Sequence, residues 1–113
     1  MMQCVIDLFS AGMETTRTSL EWAFLYMALY PDVQAKVQAE LDRMVGCERV
    51  PAMEDLKQLP FTEATICEIL RASSVVPLGN PHAASEDTMF HGHLVPKGAT
   101  IFSNLWAVHH DET

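Results

Sequence analysis

Positive charge is scarce in this 113-residue chain, with seven Lys and Arg against fifteen Asp and Glu and a net charge of −8. That balance excludes a nucleic-acid surface, which needs clustered cations to displace counterions. It equally excludes charge-driven binding to anionic membranes. Cysteine is sparse too. Cys4, Cys47 and Cys67 are odd in number and widely spaced, which leaves no disulfide framework and no C-x-x-C knuckle. Buried or half-buried thiols in a reducing compartment are expected instead. Long apolar runs are missing: Trp22–Tyr30 is shorter than the roughly 18–20 residues that span a bilayer. The opening "MMQCVIDLF" has no basic n-region of a signal peptide. Histidines lack partners at metal spacing. His91 and His93 alternate, His109 and His110 diverge, and no H-E-x-x-H occurs, so no metal ligands are expected. In "GHLVPKGAT" Lys97 precedes Gly98, the reverse of a phosphate-binding loop.

What is present is apolar periodicity, in a chain that is 49% hydrophobic and so of globular type. Ile6, Phe9, Met13, Leu20, Phe24 and Met27 recur at three- or four-residue steps and predict one helix from about Gln3 to Tyr30. Met1, Val5, Leu25 and Met27 widen its apolar surface nearly all round, as in a helix central to a larger protein. Tyr30-Pro31 ends it, and Pro31 with Asp32 opens a second helix. Val33, Val37, Leu41 and Met44 or Val45 form the inward stripe of that helix; Gln34, Lys36, Gln38, Glu40, Asp42 and Arg43 face water, and Gly46 stops it. A connector with a short helical pattern at Met53–Leu59 leads to a third helix after Pro60. Phe61, Ala64, Ile66 or Cys67, and Leu70 point inward there, and the helix ends around Ala72–Ser74. Beyond it, extended segments and turn residues at His91-Gly92 and Lys97-Gly98 predict short strands joined by hairpin-like turns. The fold class is therefore mainly α with a small β portion.

Some residues fit this pattern badly. Gly12 costs a helix interior about 1 kcal/mol relative to Ala, and Thr15 and Thr16 compete for backbone hydrogen bonds. Ala11, Gly12, Thr15 and Ser19 share one small, faintly polar face. Glu14 lies at its edge, about 100° from Thr15. A hydroxyl beside a carboxylate can relay a proton; a helix crossing at Gly12, with threonines bonded back to the preceding turn, accounts for the same composition. Glu68 and Arg71, three residues apart, share a face of the third helix, either as a surface ion pair or as a structural pair in an apolar setting.

The order of these features, "AGMETT" (11–16), "EILR" (68–71), "PLGNPHAASED" (77–87) and "VPKGATI" (95–101), resembles one family across essentially the whole chain. That family is the cytochromes P-450, haem-thiolate monooxygenases, and the likeness is to the microsomal animal group. The resemblance implies a central fragment of a single P-450 domain. Residues 1–30 would be its oxygen-activating helix, 31–46 a second helix, 60–73 the E-x-x-R helix, and 75–108 a substrate-lining segment with short strands. It implies that Thr15 hydrogen-bonds bound dioxygen and that Glu14 helps relay protons. Ala11 and Gly12 would leave room beside the haem, and His82 would meet a haem propionate. Glu68 and Arg71 would form a structural network on the other side of the ring. Phe9, Ala11, Val76, Leu78 and Gly79 would line the substrate pocket. By the same resemblance the full-length protein inserts one oxygen atom from O2 into a lipophilic substrate of steroid, fatty-acid or xenobiotic type. Its cofactor is haem, its electrons come from NADPH through a reductase, and it sits on the cytoplasmic face of the endoplasmic reticulum membrane through regions outside this chain. The family's ligating cysteine stands in a glycine-containing loop that none of Cys4, Cys47 and Cys67 matches, so the fragment itself is expected to be inactive. A truncated product or helical interaction module that keeps the motifs is the alternative.

Overall fold

The computed structural model describes residues 2–112, so the expectation for Met1 lies outside the described residues. The chain divides into two units, Met1–Val75 and Val76–Thr113.

The first unit is helical. Helix α1 spans Met2–Leu29 and α2 spans Pro31–Met44. A 3-10 turn at Met53–Gln58 precedes α3, Pro60–Ser73. Prolines punctuate it as expected, standing in the first turn of both α2 and α3, where the missing N–H costs nothing. Helix α2 closes as Gly46 (φ +76°) returns its N–H to the Leu41 carbonyl at 3.2 Å. Between α2 and α3, Arg49 clamps Asp55 through two parallel bonds, Nη1 to Oδ2 at 2.6 Å and Nη2 to Oδ1 at 2.7 Å. Asp55 Oδ2 also accepts the Ala52 N–H at 2.8 Å, so one carboxylate starts the 3-10 turn and fixes the connector. Helix α3 packs on both α1 and α2.

The sides these helices turn inward differ from the expected ones. On α2, Val33, Val37, Leu41 and Val45 are half-buried as expected, but Glu40 is buried rather than facing water. On α3 the enclosed stripe is Thr62, Thr65, Ile69 and Ala72, whereas Phe61, Ala64, Ile66, Cys67 and Leu70 are exposed. The enclosed side begins at Thr62, whose backbone N–H and hydroxyl both donate to Glu40 of α2. Among the described apolar side chains only Leu59 and Ile69 are buried. All three cysteines are exposed, against the expectation of buried or half-buried thiols. No described helix is long and apolar enough to cross a membrane.

The second unit holds two antiparallel strand pairs and a short helix. Strands β2 (Thr88–Phe90) and β3 (His93–Val95) pair in the register Thr88↔Val95, Met89↔Leu94, Phe90↔His93. Their hairpin turns at His91 (φ +47°) and Gly92 (φ +84°), the left-handed pair of a tight hairpin turn. The expected hairpin at Lys97-Gly98 is not one. Strand β4 (Thr100–Ile101) pairs instead with β1 (His82–Ala83). Asp87 Oδ1 takes the Lys97 N–H at 2.7 Å and the Ala84 carbonyl takes that of Gly98 at 2.8 Å, so the turn sends the chain across to β1. Helix α4, Leu105–His110, stands where the sequence pattern predicts no helix, at the end of the segment read as short strands and turns. Asn104 Oδ1 caps it by accepting the Ala107 N–H at 3.2 Å, and Trp106 stacks on His110 with ring centres 4.6 Å apart.

Candidate functional site

The unusual stretch of α1 lies on an exposed face. Thr15 Oγ1 donates to the Ala11 carbonyl at 2.7 Å, Thr16 Oγ1 to the Gly12 carbonyl at 2.7 Å, and Ser19 Oγ to the Thr15 carbonyl at 2.8 Å. Each hydroxyl is thus satisfied by the preceding turn, as such residues are within helices. The Thr15 oxygen keeps its capacity to accept. A Cβ built on Gly12 would meet nothing within 4 Å, so no packing within the chain explains the missing side chain. Leu8, Phe9, Gly12 and Met13 line an apolar depression of about 260 Å³. Small residues beside apolar ones on an open face fit the approach of a flat, apolar group such as a porphyrin.

Glu14 does not join Thr15 among the described residues. It pairs with Arg17 at 3.7 Å, and Arg17 Nε donates to Glu21 at 2.9 Å. The Glu21 hydrogen bond and charge, then Glu14, hold the Arg17 guanidinium more firmly in its charged form. All three side chains are well exposed, so solvent screens these pairs and each contributes little to stability.

Glu68 and Arg71 meet on α3 in a bidentate pair, Nε to Oε2 at 2.7 Å and Nη2 to Oε1 at 2.7 Å. The bond to Glu68 and its charge raise the Arg71 pKa further. The pair belongs to the wall of a cleft of about 560 Å³ whose apolar part includes Tyr26, Tyr30, Val33, Phe61 and Ile69. Trp22 and Tyr26 on α1 and Tyr30 just beyond it stack in succession, with ring centres 5.6 and 6.1 Å apart.

In the second unit, His82 is exposed on β1 opposite Ile101. Val76 and Leu78 are also exposed. Gly79 has φ +64°, and a Cβ there would stand 3.4 Å from that of Ser103. The segment therefore turns sharply with Gly79 against the chain before α4, and the Pro77 carbonyl accepts the Trp106 N–H at 2.9 Å. Among the described residues no group of three or more His, Cys, Asp or Glu is placed to hold a metal.

One residue of consequence was not anticipated. Glu40 is buried, and its carboxylate accepts from Phe61 N at 3.1 Å, Thr62 N at 2.7 Å and Thr62 Oγ1 at 2.7 Å. The available signal was an absence: α3 begins at Leu59-Pro60 with no Ser, Thr, Asp or Asn at its cap.

A family model described as cytochrome P-450 matches residues 1–113. The chain is 53% identical over 105 residues to cytochrome P-450 2U1 of Mus musculus, covering 93% of this chain and 20% of that relative. It is 49% identical over 112 residues to a steroid 17-alpha-hydroxylase/17,20 lyase of Oryzias latipes, covering 99% and 22% respectively. A zebrafish cytochrome P-450 solved with progesterone superposes with a TM-score of 0.89 at 45% identity, over 93% of this chain and 25% of that one. The chain thus spans about a fifth of the length of the curated relatives it matches.

Proposed function

Because this chain belongs to the cytochrome P-450 family, we propose that the full-length protein containing it is a haem-dependent monooxygenase. It places one atom of O2 in a lipophilic substrate, with electrons supplied from NADPH by a reductase. Bound haem supplies the oxygen activation and redox chemistry. Ala11 and Gly12, a methyl group and no side chain, would leave room for the ring, and Phe9 and Ala11 would keep that surface apolar. Thr15 presents a hydroxyl that moves a proton at Oγ1, and Glu14 replenishes that proton from the solvent side. His82 gives a donor to a propionate. Glu68 and Arg71 would form a structural network that supports the haem, and Val76, Leu78 and Gly79 would line the substrate space. The thiolate comes from none of Cys4, Cys47 and Cys67, so the 113-residue chain alone is inactive. Membrane attachment at the endoplasmic reticulum lies with regions outside this chain.

The observation that carries this reading is the family match over residues 1–113; the open surface at Gly12, next to two hydroxyls that bond back to the preceding turn, is in keeping with it. A steroid-like substrate is favoured within the lipophilic class, since one relative is named a steroid hydroxylase and one related structure was solved with progesterone. The test is to express the full-length protein, reduce it under carbon monoxide and titrate it with steroids. A thiolate-type Soret band, with a steroid-induced spectral shift and NADPH-dependent hydroxylated product, is the expected result. Absence of the thiolate-type band overturns the reading.

A further inference from the structure

Helix α3 carries no cap of its own, and its first-turn donors can be accounted for completely. Pro60 has no N–H, and the Glu63 N–H reaches the Leu59 carbonyl at 2.9 Å. The two donors left over, Phe61 N and Thr62 N, both go to Glu40 of α2, which also takes the Thr62 hydroxyl. Glu40 is 7% exposed. Burial pushes its pKa up, but the bonds from the Thr62 side chain and backbone and from Phe61 N, together with the charge of Arg43, bring it below the ordinary carboxylate value. An ionised carboxylate at a helix N-terminus also complements the helix dipole.

We propose that Glu40 is a positioning residue for the Glu68–Arg71 pair. A carboxylate that accepts two adjacent backbone N–H groups fixes direction as well as distance. It sets both the axial position of α3 and its rotation about its own axis. Glu68 and Arg71 follow Thr62 by six and nine residues on the same continuous helix, about 9 and 13 Å along the axis. The rotation that Glu40 imposes is therefore the rotation at which the pair is presented. The enclosed stripe of α3 agrees, since it begins at Thr62 and continues through Thr65 and Ile69.

The role assigned to the pair rests on the function proposed above, and the experiment separates the two. In the full-length haem protein, Glu40→Gln and Thr62→Val are compared with Asp42→Asn, an exposed carboxylate on the same helix as Glu40. Two quantities are read at a temperature where far-UV helicity equals that of the wild type: amide exchange at 61 and 62, and the fraction of haem giving the thiolate-type carbon-monoxide band. Glu40→Gln is expected to speed that exchange about tenfold or more, as loss of charge-assisted bonds does, and to lower the thiolate-type fraction. Thr62→Val shifts both less, and Asp42→Asn neither. Faster exchange with an undiminished band makes Glu40 a cap and nothing more, and overturns the positioning role. Unchanged exchange overturns it as well. If Glu40→Gln does not fold, Thr62→Val, which removes one side-chain donor, decides between the same outcomes. A wild-type protein without the thiolate-type band overturns the proposed function and this role together, whereas a normal band that ignores Glu40→Gln overturns this role alone.

Discussion

Thr15 Oγ1 donates its proton to the Ala11 carbonyl at 2.7 Å, so the proton-donor role proposed for it requires that bond to exchange for one to the reacting oxygen. Thr15→Ser keeps the exchangeable hydroxyl, and Thr15→Ala removes it. In the full-length protein Thr15→Ala is expected to lower product formed per oxygen consumed by roughly a hundredfold, the low end of what a positioned proton donor contributes. Peroxide release measures the difference, and equal coupling in the two variants removes Thr15 from the relay. Gly12 separates helix stability from function. With nothing near its Cβ position, Gly12→Ala should stabilise α1 by about 1 kcal/mol, seen as increased helicity of a peptide spanning residues 2–29. In the haem-loaded protein the same methyl group is expected to weaken steroid binding. The oddity of Gly12, Glu14 and Thr15 was legible from composition. Whether they marked a helix crossing or an open ligand face was not, because that depends on what lies opposite.

At the scale of elements, the connector between α2 and α3 depends on one carboxylate. The Asp55 pKa falls from 3.8 to about 2, first through its bonds from Arg49 and then through the Ala52 N–H. Since the folded value lies below the unfolded one, the clamp contributes fully above 3.8 and is lost as pH falls toward 2. Protection of the amides at 52–55, taken relative to their intrinsic exchange rate at each pH, should fall across that window, and in Asp55→Asn it should be low and flat with pH. The hairpin β2–β3 depends on Gly92 in the left-handed region. Gly92→Ala costs about 1–2 kcal/mol, visible as loss of the cross-strand signals between Met89 and Leu94 in the full-length protein. Proline positions made most helix limits legible. Helix α4 was missed because its six residues are too few to show periodicity, and the cue was Asn104 as its cap. The Lys97-Gly98 hairpin failed for a different reason: a turn's residues say that the chain bends, and the Asp87 and Ala84 acceptors decide where it goes.

For the molecule as a whole, the imbalance between apolar content and burial is the leading fact. Phe9, Met13 and Phe24 remain 65%, 66% and 75% exposed on α1. Contiguous apolar surface of this kind drives association. The isolated 113-residue chain should self-associate at micromolar concentration, and light scattering against detergent concentration checks this; a clean monomer without detergent contradicts it. What the sequence determined alone was local: helix starts at prolines, the tight turn at His91-Gly92, the apolar surface of α1, and a motif order distinctive enough to indicate the family. Tertiary structure decided which way each helix faces. Glu40 reads as a water-facing residue on a polar stripe, and only the arrival of an uncapped helix end beside it turned it inward. Periodicity reports the moment of one helix, whereas burial of a carboxylate depends on the donors that another helix leaves unpaired.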